Sequence, residues 1–270
     1  AVRTMYPFEY QKPADVKSAV QAVSGSGENK YIAAGMTLLP TLKLRLARPD
    51  RLVDLAGIAD LVGIRVERDH VSVGAMTRHA DVASSAELRS AIPALAALAG
   101  GIGDPLVRNR GTMGGSVANN DPAADYPAAV LALGATIVTD RREIAADAFF
   151  TGMFSTALEA GELITRIRFP IPKRAAYVKF PNPASRYAMV GVFVAETTGG
   201  IRVAVTGAGA CVYRIAAFEA ALAKRFAPES LDGLSVPSDG LNQDLHGSAE
   251  YRASLVPVIA KRAVAAALAG

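Results

Sequence analysis

The spacing of apolar and polar residues predicts helices alternating with short strands over the first 170 residues. Apolar residues at helical spacing predict helices over 13–23, 38–46, 77–90, 93–100 and 126–133. Short or alternating apolar runs predict strands at 31–34, 52–55, 61–66, 70–75, 135–138 and 162–170. The stretch 102–125 follows neither period and is predicted to be a long polar loop.

The order of elements changes after Pro170, where Ile171-Pro172-Lys173 is the best linker candidate. Strands are predicted at 177–180, 190–196 and 201–206, and alanine-rich helices follow at 215–224 and 248–268. Strands followed by helices indicate an α+β unit at the C-terminal end.

Composition and charge exclude several classes of protein. The net charge is +4 and the basic residues are scattered, which argues against a nucleic-acid partner. The single cysteine, Cys211, cannot form an internal disulfide or ligate an iron–sulfur cluster with this chain alone, and is expected to be a buried structural thiol. Residues 1–10 do not resemble a leader, and no long apolar window follows. We therefore expect no integral membrane segment and a cytoplasmic protein.

Glycines, hydroxyls and carboxylates are concentrated between Arg108 and Asp125. Glycine lets backbone N–H groups approach an anion, and Thr112 and Ser116 can add hydrogen-bond donors. This composition predicts a loop that binds a pyrophosphate and a ribityl chain, and the alternative is a long glycine turn between strands. A second segment, in which a strand runs through Gly35 into a helix, has the geometry of a phosphate site.

Other motifs are weaker. The run 203–212 has two glycines of a dinucleotide fingerprint after a strand, but Val212 replaces the third glycine, so nicotinamide binding is not expected there. The three histidines are far apart, so no metal site is expected.

Thr77 is predicted to cap the helix that contains His79, and His79, taken alone, is more typical of a structural histidine. Asp121 is predicted to cap a helix that starts near Pro122, and Asp125 to accept hydrogen bonds from ligand hydroxyls or a backbone amide.

The two glycine segments, in this order, resemble the FAD-binding (medium) subunit of the molybdenum hydroxylases, the family of the carbon monoxide and xanthine dehydrogenases. The first motif is Ala33-Ala34-Gly35-Met36-Thr37-Leu38-Leu39-Pro40, with Lys43-Leu44-Arg45 after it. The second comprises Ile102-Gly103, Arg108-Asn109-Arg110-Gly111-Thr112-Met113-Gly114-Gly115-Ser116 and Asp121-Pro122-Ala123-Ala124-Asp125.

The resemblance implies the fold and its division. The fold class is α+β with α/β subdomains. A two-subdomain FAD-binding fold of the vanillyl-alcohol-oxidase/PCMH type would occupy 1–172, divided near residue 56, and an α+β domain would occupy 175–270.

The resemblance also implies the cofactor site. Both loops would bind the FAD pyrophosphate, and Asp125 the ribityl region. Ile164 would lie near the flavin or adenine, and Tyr187 would approach the isoalloxazine ring. No catalytic residue and no metal ligand of this chain is implied. The implied cofactor-binding residues are Ala33, Ala34, Gly35, Met36, Thr37, Leu38, Thr77, His79, Ile102, Gly111, Thr112, Gly114, Gly115, Ser116, Asp125, Ile164 and Tyr187.

Three positions depart from the family pattern. Ala34 replaces a glycine and would be strained at positive φ, and Met36 removes a polar contact. Pro181 stands where relatives have a second lysine after Lys179. These departures bear on the affinity and the redox potential of FAD.

The implied function is that of an electron-transfer subunit of an oxidoreductase. FAD would accept electrons from 2Fe-2S clusters of a small partner subunit, which takes them from the molybdenum cofactor of a large subunit, in a dimer of heterotrimers. The final acceptor would be NAD, a quinone or oxygen. Two alternatives stay open: a self-contained FAD-dependent oxidoreductase, and a vestigial assembly module that has lost FAD.

Overall fold

The computed structural model describes residues 5–270, which form a small parallel sheet, two larger antiparallel sheets, a two-stranded antiparallel sheet and the helices between and outside them. The strands are β1 (Glu9–Gln11), β2 (Asn29–Ile32), β3 (Arg51–Asp54), β4 (Ile64–Val66), β5 (His70–Gly74), β6 (Thr136–Thr139), β7 (Glu143–Ala145), β8 (Phe150–Gly152), β9 (Ser155–Thr156), β10 (Ile164–Pro170), β11 (Arg174–Pro181), β12 (Ala188–Thr197), β13 (Gly200–Thr206) and β14 (Tyr213–Arg214). The α-helices are α1 (Val16–Val23), α2 (Leu38–Lys43), α3 (His79–Ser84), α4 (Ala86–Ala91), α5 (Pro93–Gly100), α6 (Pro105–Arg108), α7 (Met113–Asn119), α8 (Tyr126–Ala132), α9 (Ala146–Phe149), α10 (Ala216–Lys224) and α11 (Ala249–Ala269).

The parallel sheet has the strand order β1-β3-β2, and the segment after β2 leads into α2. Helix α1 begins where the Asp15 side chain accepts the Ser18 N–H at 2.8 Å. The buried faces of α1 and β3 pack together through Ala19, Val23 and Val53.

The second layer is an antiparallel sheet with the order β4-β5-β10-β6-β7. Its central strand β10 pairs with β5 and β6, and buries Ile164, Ile167 and Phe169. Ile167 and Phe169 show the two-residue period of a strand with one covered face, and Ile164 departs from it because the pairing of β10 with β6 shifts register between Ile164 and Arg166.

The C-terminal layer is an antiparallel sheet with the order β11-β12-β13-β14, and α11 packs across β11 and β12. Helix α8 lies between this sheet and the rest of the molecule, and every one of its residues is buried. The largest core cluster joins Ile167 of the second layer and Tyr126 of α8 to Phe193 of the C-terminal sheet. The two layers therefore share one hydrophobic core.

The structure corrects two predictions, one of a loop and one of a helix. The predicted polar loop 102–125 contains helices α6 and α7, which begin where Asp104 and Thr112 accept backbone N–H groups. The predicted helix 77–90 is two helices, because Ser85 has a non-helical backbone conformation (φ −59°, ψ 117°) and its hydroxyl caps α4 by accepting the Leu88 N–H at 3.1 Å.

Caps and one strand also differ. Thr77 does not cap α3, since its hydroxyl exchanges hydrogen bonds with the Gly63 backbone. Asp121 caps a turn by accepting the Ala123 N–H at 2.9 Å, and the helix begins only at Tyr126. The strand predicted over 61–66 is restricted to β4, because a 3-10 turn occupies Ala59–Leu61. The run 203–212 is the end of β13 and a turn toward β14, with no helix directly after it.

Within residues 5–270, none of the helices is both long and apolar enough to span a bilayer.

Candidate functional site

A cavity of about 700 Å³ opens between the two glycine segments. Its volume lies within the range of about 300–1,000 Å³ typical of small-molecule sites. Among the residues predicted to bind the cofactor, all except Thr77 line this cavity. They are Ala33, Ala34, Gly35, Met36, Thr37, Leu38, His79, Ile102, Gly111, Thr112, Gly114, Gly115, Ser116, Asp125, Ile164 and Tyr187. Thr77 lies next to the lining, where its carbonyl accepts the Met113 N–H at 3.0 Å.

The segment between β2 and α2 presents a row of unused backbone donors. Gly35 has a φ of +73°, the left-handed conformation that glycine adopts without strain. No acceptor within residues 5–270 takes the N–H groups of Gly35, Met36, Thr37 or Leu38. Successive free N–H groups around a left-handed residue form a concave site for an anion. Ala34 does not have positive φ, so the strain considered for it from the sequence is not present.

The glycines of the second segment allow close packing rather than unusual backbone angles, since Gly111, Gly114 and Gly115 all lie outside positive φ. A Cβ on Gly111 would lie 2.4 Å from the His79 ring, and one on Gly114 would lie 2.5 Å from Cβ of Ala75. The Gly114 and Gly115 N–H groups are already used, by the Ala75 carbonyl and the Thr112 hydroxyl. The glycines thus bring α7 against its neighbours, and the Ser116 side chain faces a cavity that the first segment also lines.

His79 is the first residue of α3 and is 4% exposed. Its Nδ1 atom is buried and has no hydrogen-bond partner among the described residues. Burial lowers the pKa of His79 to about 4, with a smaller contribution from the Arg108 charge, so the ring is neutral at pH 7. A neutral imidazole with an unused nitrogen in a cavity wall fits a polar ligand atom.

Asp125 is 4% exposed and forms a network that the sequence did not predict. Its carboxylate accepts hydrogen bonds from the Tyr177 hydroxyl and, at 3.1 Å, from the Lys179 ammonium. Lys179 also donates to the Gly101 carbonyl at 2.9 Å. Burial raises the pKa of Asp125, an effect that Lys179 and Tyr177 oppose. The network connects Tyr177 and Lys179 of β11 to Asp125, which lines the cavity.

The loop that carries Tyr187 forms part of the cavity mouth. Asn182 is 7% exposed, and its Oδ1 accepts the N–H groups of Ala184 and Ser185 at 2.9 and 3.1 Å. The Tyr187 side chain is 48% exposed, and burial of its hydroxyl, together with the charges of Asp121 and Asp125, raises its pKa. Pro181 ends β11 and does not line the cavity.

Sequence reasoning missed part of the lining. The unpredicted members include Tyr31, Thr41, Val107, Asn119, Leu158 and Arg186. Tyr31 and Thr41 flank the first motif and could have been found from their position. Leu158 belongs to a segment without a recognised motif.

Within the described residues, no group of three or more His, Cys, Asp or Glu side chains could hold a metal ion. Cys211 is partly buried rather than fully buried as expected, and burial raises the pKa of its thiol.

Comparisons with known proteins identify the family. Residues 6–172 match the model of the FAD binding domain in molybdopterin dehydrogenase. The chain is 36% identical to the carbon monoxide dehydrogenase medium chain of Hydrogenophaga pseudoflava, over 97% of each chain. It is 34% identical to the nicotine 6-hydroxylase medium subunit of Paenarthrobacter nicotinovorans, over 95% of this chain and 96% of the relative. The solved carbon monoxide dehydrogenase of H. pseudoflava superposes with a TM-score of 0.89, covering 98% of this chain and 99% of that one.

The cavity fits the cofactor of this family. Free N–H groups in the first segment suit a pyrophosphate, and the orphaned His79 nitrogen and the Ser116 hydroxyl suit polar atoms of a dinucleotide. Matches over more than half of the chain in sequence, and over nearly all of it in structure, agree with this fit. The chain belongs to the family of FAD-binding medium subunits of the molybdenum hydroxylases, which are flavoprotein subunits of oxidoreductases.

Proposed function

We propose that this chain binds FAD in the cavity and passes electrons from a partner's iron–sulfur clusters to an external acceptor. The observation that carries the proposal is the meeting of the two motifs in one cavity. An added Cβ on Gly115 would lie 3.5 Å from Cβ of Ala33, although the two residues are far apart in sequence.

The N–H groups of Gly35 to Leu38 would hold the pyrophosphate, because they are adjacent and unused by the protein. Thr112 and Ser116 would face the dinucleotide from α7, and Asp125, held by Tyr177 and Lys179, would lie beside its ribityl hydroxyls. Ile164 and Tyr187 would bound the isoalloxazine ring. When bound, FAD supplies the redox chemistry. The residues of this chain bind it, orient it and exclude water from one side.

The division of labour among subunits supports an electron-transfer role. One cysteine cannot hold an iron–sulfur cluster alone, so such clusters would belong to a small subunit and the molybdenum cofactor to a large one. A solved relative is described as a Cu,Mo-CO dehydrogenase, and another as lacking the Mo-pyranopterin moiety of its molybdenum cofactor. We propose that this chain assembles with a small iron–sulfur subunit and a large molybdenum subunit, with two copies of each subunit in the complex.

The test compares the complex, purified through a tag on this chain, with the chain expressed alone. Both are mixed anaerobically with candidate carbon monoxide, aldehyde, purine and N-heterocycle substrates while the flavin absorbance is recorded. Bleaching of FAD in the complex, and not in the isolated chain, is the expected result. Bleaching in the FAD-loaded chain alone would overturn the proposal in favour of a self-contained oxidoreductase. A folded, colourless chain that ignores added FAD would indicate a vestigial module.

A further inference from the structure

The segment between β9 and β10 forms one wall of the cavity, although it contains neither helix nor strand. We call residues 157–163 the strap. The members of the strap that line the cavity are Leu158, Glu159, Gly161, Glu162 and Leu163. Under the proposed function, this wall covers part of the bound FAD. Because the strap is not part of a helix or a sheet, its position depends on individual side-chain contacts.

The two ends of the strap are attached to β6 and to the turn after it. The Glu162 side chain is fully buried, and its carboxylate accepts hydrogen bonds from Nε and Nη2 of Arg142 at 2.9 and 2.8 Å and from the Thr139 hydroxyl at 2.8 Å. Arg142 also donates to the Ala157 carbonyl at 2.7 Å. A carboxylate that accepts two hydrogen bonds from one guanidinium is held strongly and in a defined orientation. These contacts fix the ends of the strap independently of its middle.

The middle of the strap is attached to the parallel sheet. The Tyr31 hydroxyl, from β2, donates to the Gly161 carbonyl at 2.9 Å, across 130 residues of sequence. Burial, together with the Asp140 charge, raises the pKa of Tyr31, so the hydroxyl stays protonated and can donate. Gly161 has a φ of +71°, and a Cβ there would lie 3.2 Å from Cγ1 of Val23 in α1. The glycine therefore lets the strap approach α1 and β2 closely.

The hydrogen bond of Tyr31 joins two walls of the cavity. Tyr31 itself lines the cavity, and it lies two residues before the first glycine motif, which begins at Ala33. Movement of the strap away from β2 would break this bond and leave the pair between Glu162 and Arg142 intact. The middle of the strap can therefore open locally while the sheets stay folded, and each such opening would uncover the cofactor.

From these contacts we propose that Tyr31 is a positioning residue, whose hydroxyl keeps the strap closed over bound FAD and slows the release of the cofactor. This inference rests on the proposed function. Tyr31 precedes both glycine motifs, and it acts on FAD through the position of the strap. Loss of one neutral hydrogen bond raises the population of the open strap by about three- to tenfold. The rate of FAD release rises by the same factor, because the cofactor leaves from the open state.

The test uses the FAD-loaded complex and compares the wild-type chain with Tyr31→Phe, which removes only the hydroxyl. Tyr10→Phe is the matched control. Tyr10 lies in β1 of the same sheet, its hydroxyl donates to Asp54, and its side chain does not line the cavity. Release of FAD is followed by the rise in fluorescence of free flavin after dilution below the dissociation constant. Amide hydrogen exchange of residues 157–163 is measured on the same samples.

We expect Tyr31→Phe to release FAD about three- to tenfold faster and to speed the exchange of the strap amides, while Tyr10→Phe changes neither. Equal release rates for Tyr31→Phe and the wild type, equal acceleration by both variants, or strap exchange that Tyr31→Phe leaves unchanged would overturn the inference. The flavin content of the wild-type complex separates the two levels. A complex that holds FAD and gives one of these three results refutes only the role of Tyr31, whereas a complex without FAD refutes the proposed function as well.

Discussion

Replacement of Gly114 by alanine tests whether the second motif uses glycine for close packing. The added Cβ would lie 2.5 Å from Cβ of Ala75 and 2.9 Å from its Cα. Ordinary contacts begin near 3.4 Å, so α7 must move by nearly an ångström from the end of β5. That movement stretches the 2.8 Å hydrogen bond from the Gly114 N–H to the Ala75 carbonyl.

The balance of effects predicts a loss of stability. Alanine is better than glycine in a helix by about 1 kcal/mol. Overpacking costs about 1–3 kcal/mol, and a lost hydrogen bond adds about 1 kcal/mol. We expect Gly114→Ala to lower the free energy of unfolding by about 1–3 kcal/mol after the helix gain is subtracted.

Gly100→Ala is the matched control, because a Cβ there meets only Cβ of Ala83, at 3.8 Å. This variant should be neutral or more stable by about 0.4–1 kcal/mol. Urea unfolding followed by circular dichroism, with and without excess FAD, measures both. If Gly114→Ala proves as stable as Gly100→Ala, the close approach of α7 to Ala75 does not exist and the packing argument is wrong.

Three further changes probe the cavity. Gly35→Ala should weaken FAD binding at least tenfold, because the φ of +73° at this position strains alanine and the strain distorts the arrangement of the free N–H groups. Ala34→Gly is the control and should leave the affinity for FAD within about threefold. Flavin fluorescence titration measures the affinity of both variants. Asp125→Asn should destabilise the protein by about 3–5 kcal/mol because the Lys179 ammonium loses its carboxylate partner. Adding Lys179→Met to the same chain should restore most of the lost stability. Equal urea midpoints for the single and double variants would contradict this explanation. His79 has a folded pKa of about 4, below its unfolded value of about 6.5, so the unfolded state binds more protons between these values. Stability should therefore fall by up to about 3 kcal/mol as the pH drops from about 6.5 to about 4, and His79→Gln should remove that part of the slope.

Local signals were sufficient for elements with clear ends. The proline at the start of α5 and the glycines after it gave both of its bounds, and the alternation of β10 gave most of that strand. Helix α6 was missed because its four residues are too few to show a helical period, and α7 was missed because its two glycines and its polar residues concealed that period. Their capping residues, Asp104 and Thr112, were nevertheless visible in the sequence.

Contacts across the fold were the part that the sequence could not supply. Tyr177 and Lys179 reach Asp125 across 52 and 54 residues, and no local pattern indicates such a pairing. The hydrogen bonds of Thr77 were similarly hidden, because a threonine before a helix resembles a cap whether or not it acts as one. The motifs located the cavity, while its electrostatic support depended on which strands pair.

The wholly buried helix α8 couples the C-terminal sheet to the cavity, so that neither opens without the other. Its first turn follows Asp125 at the cavity floor, and its sides contact β12 and β13 of the C-terminal sheet. Opening that sheet would uncover α8 and release the floor of the cavity with it. A cofactor held in the cavity would therefore slow amide hydrogen exchange deep in β12, in a part of the chain that does not touch the cofactor.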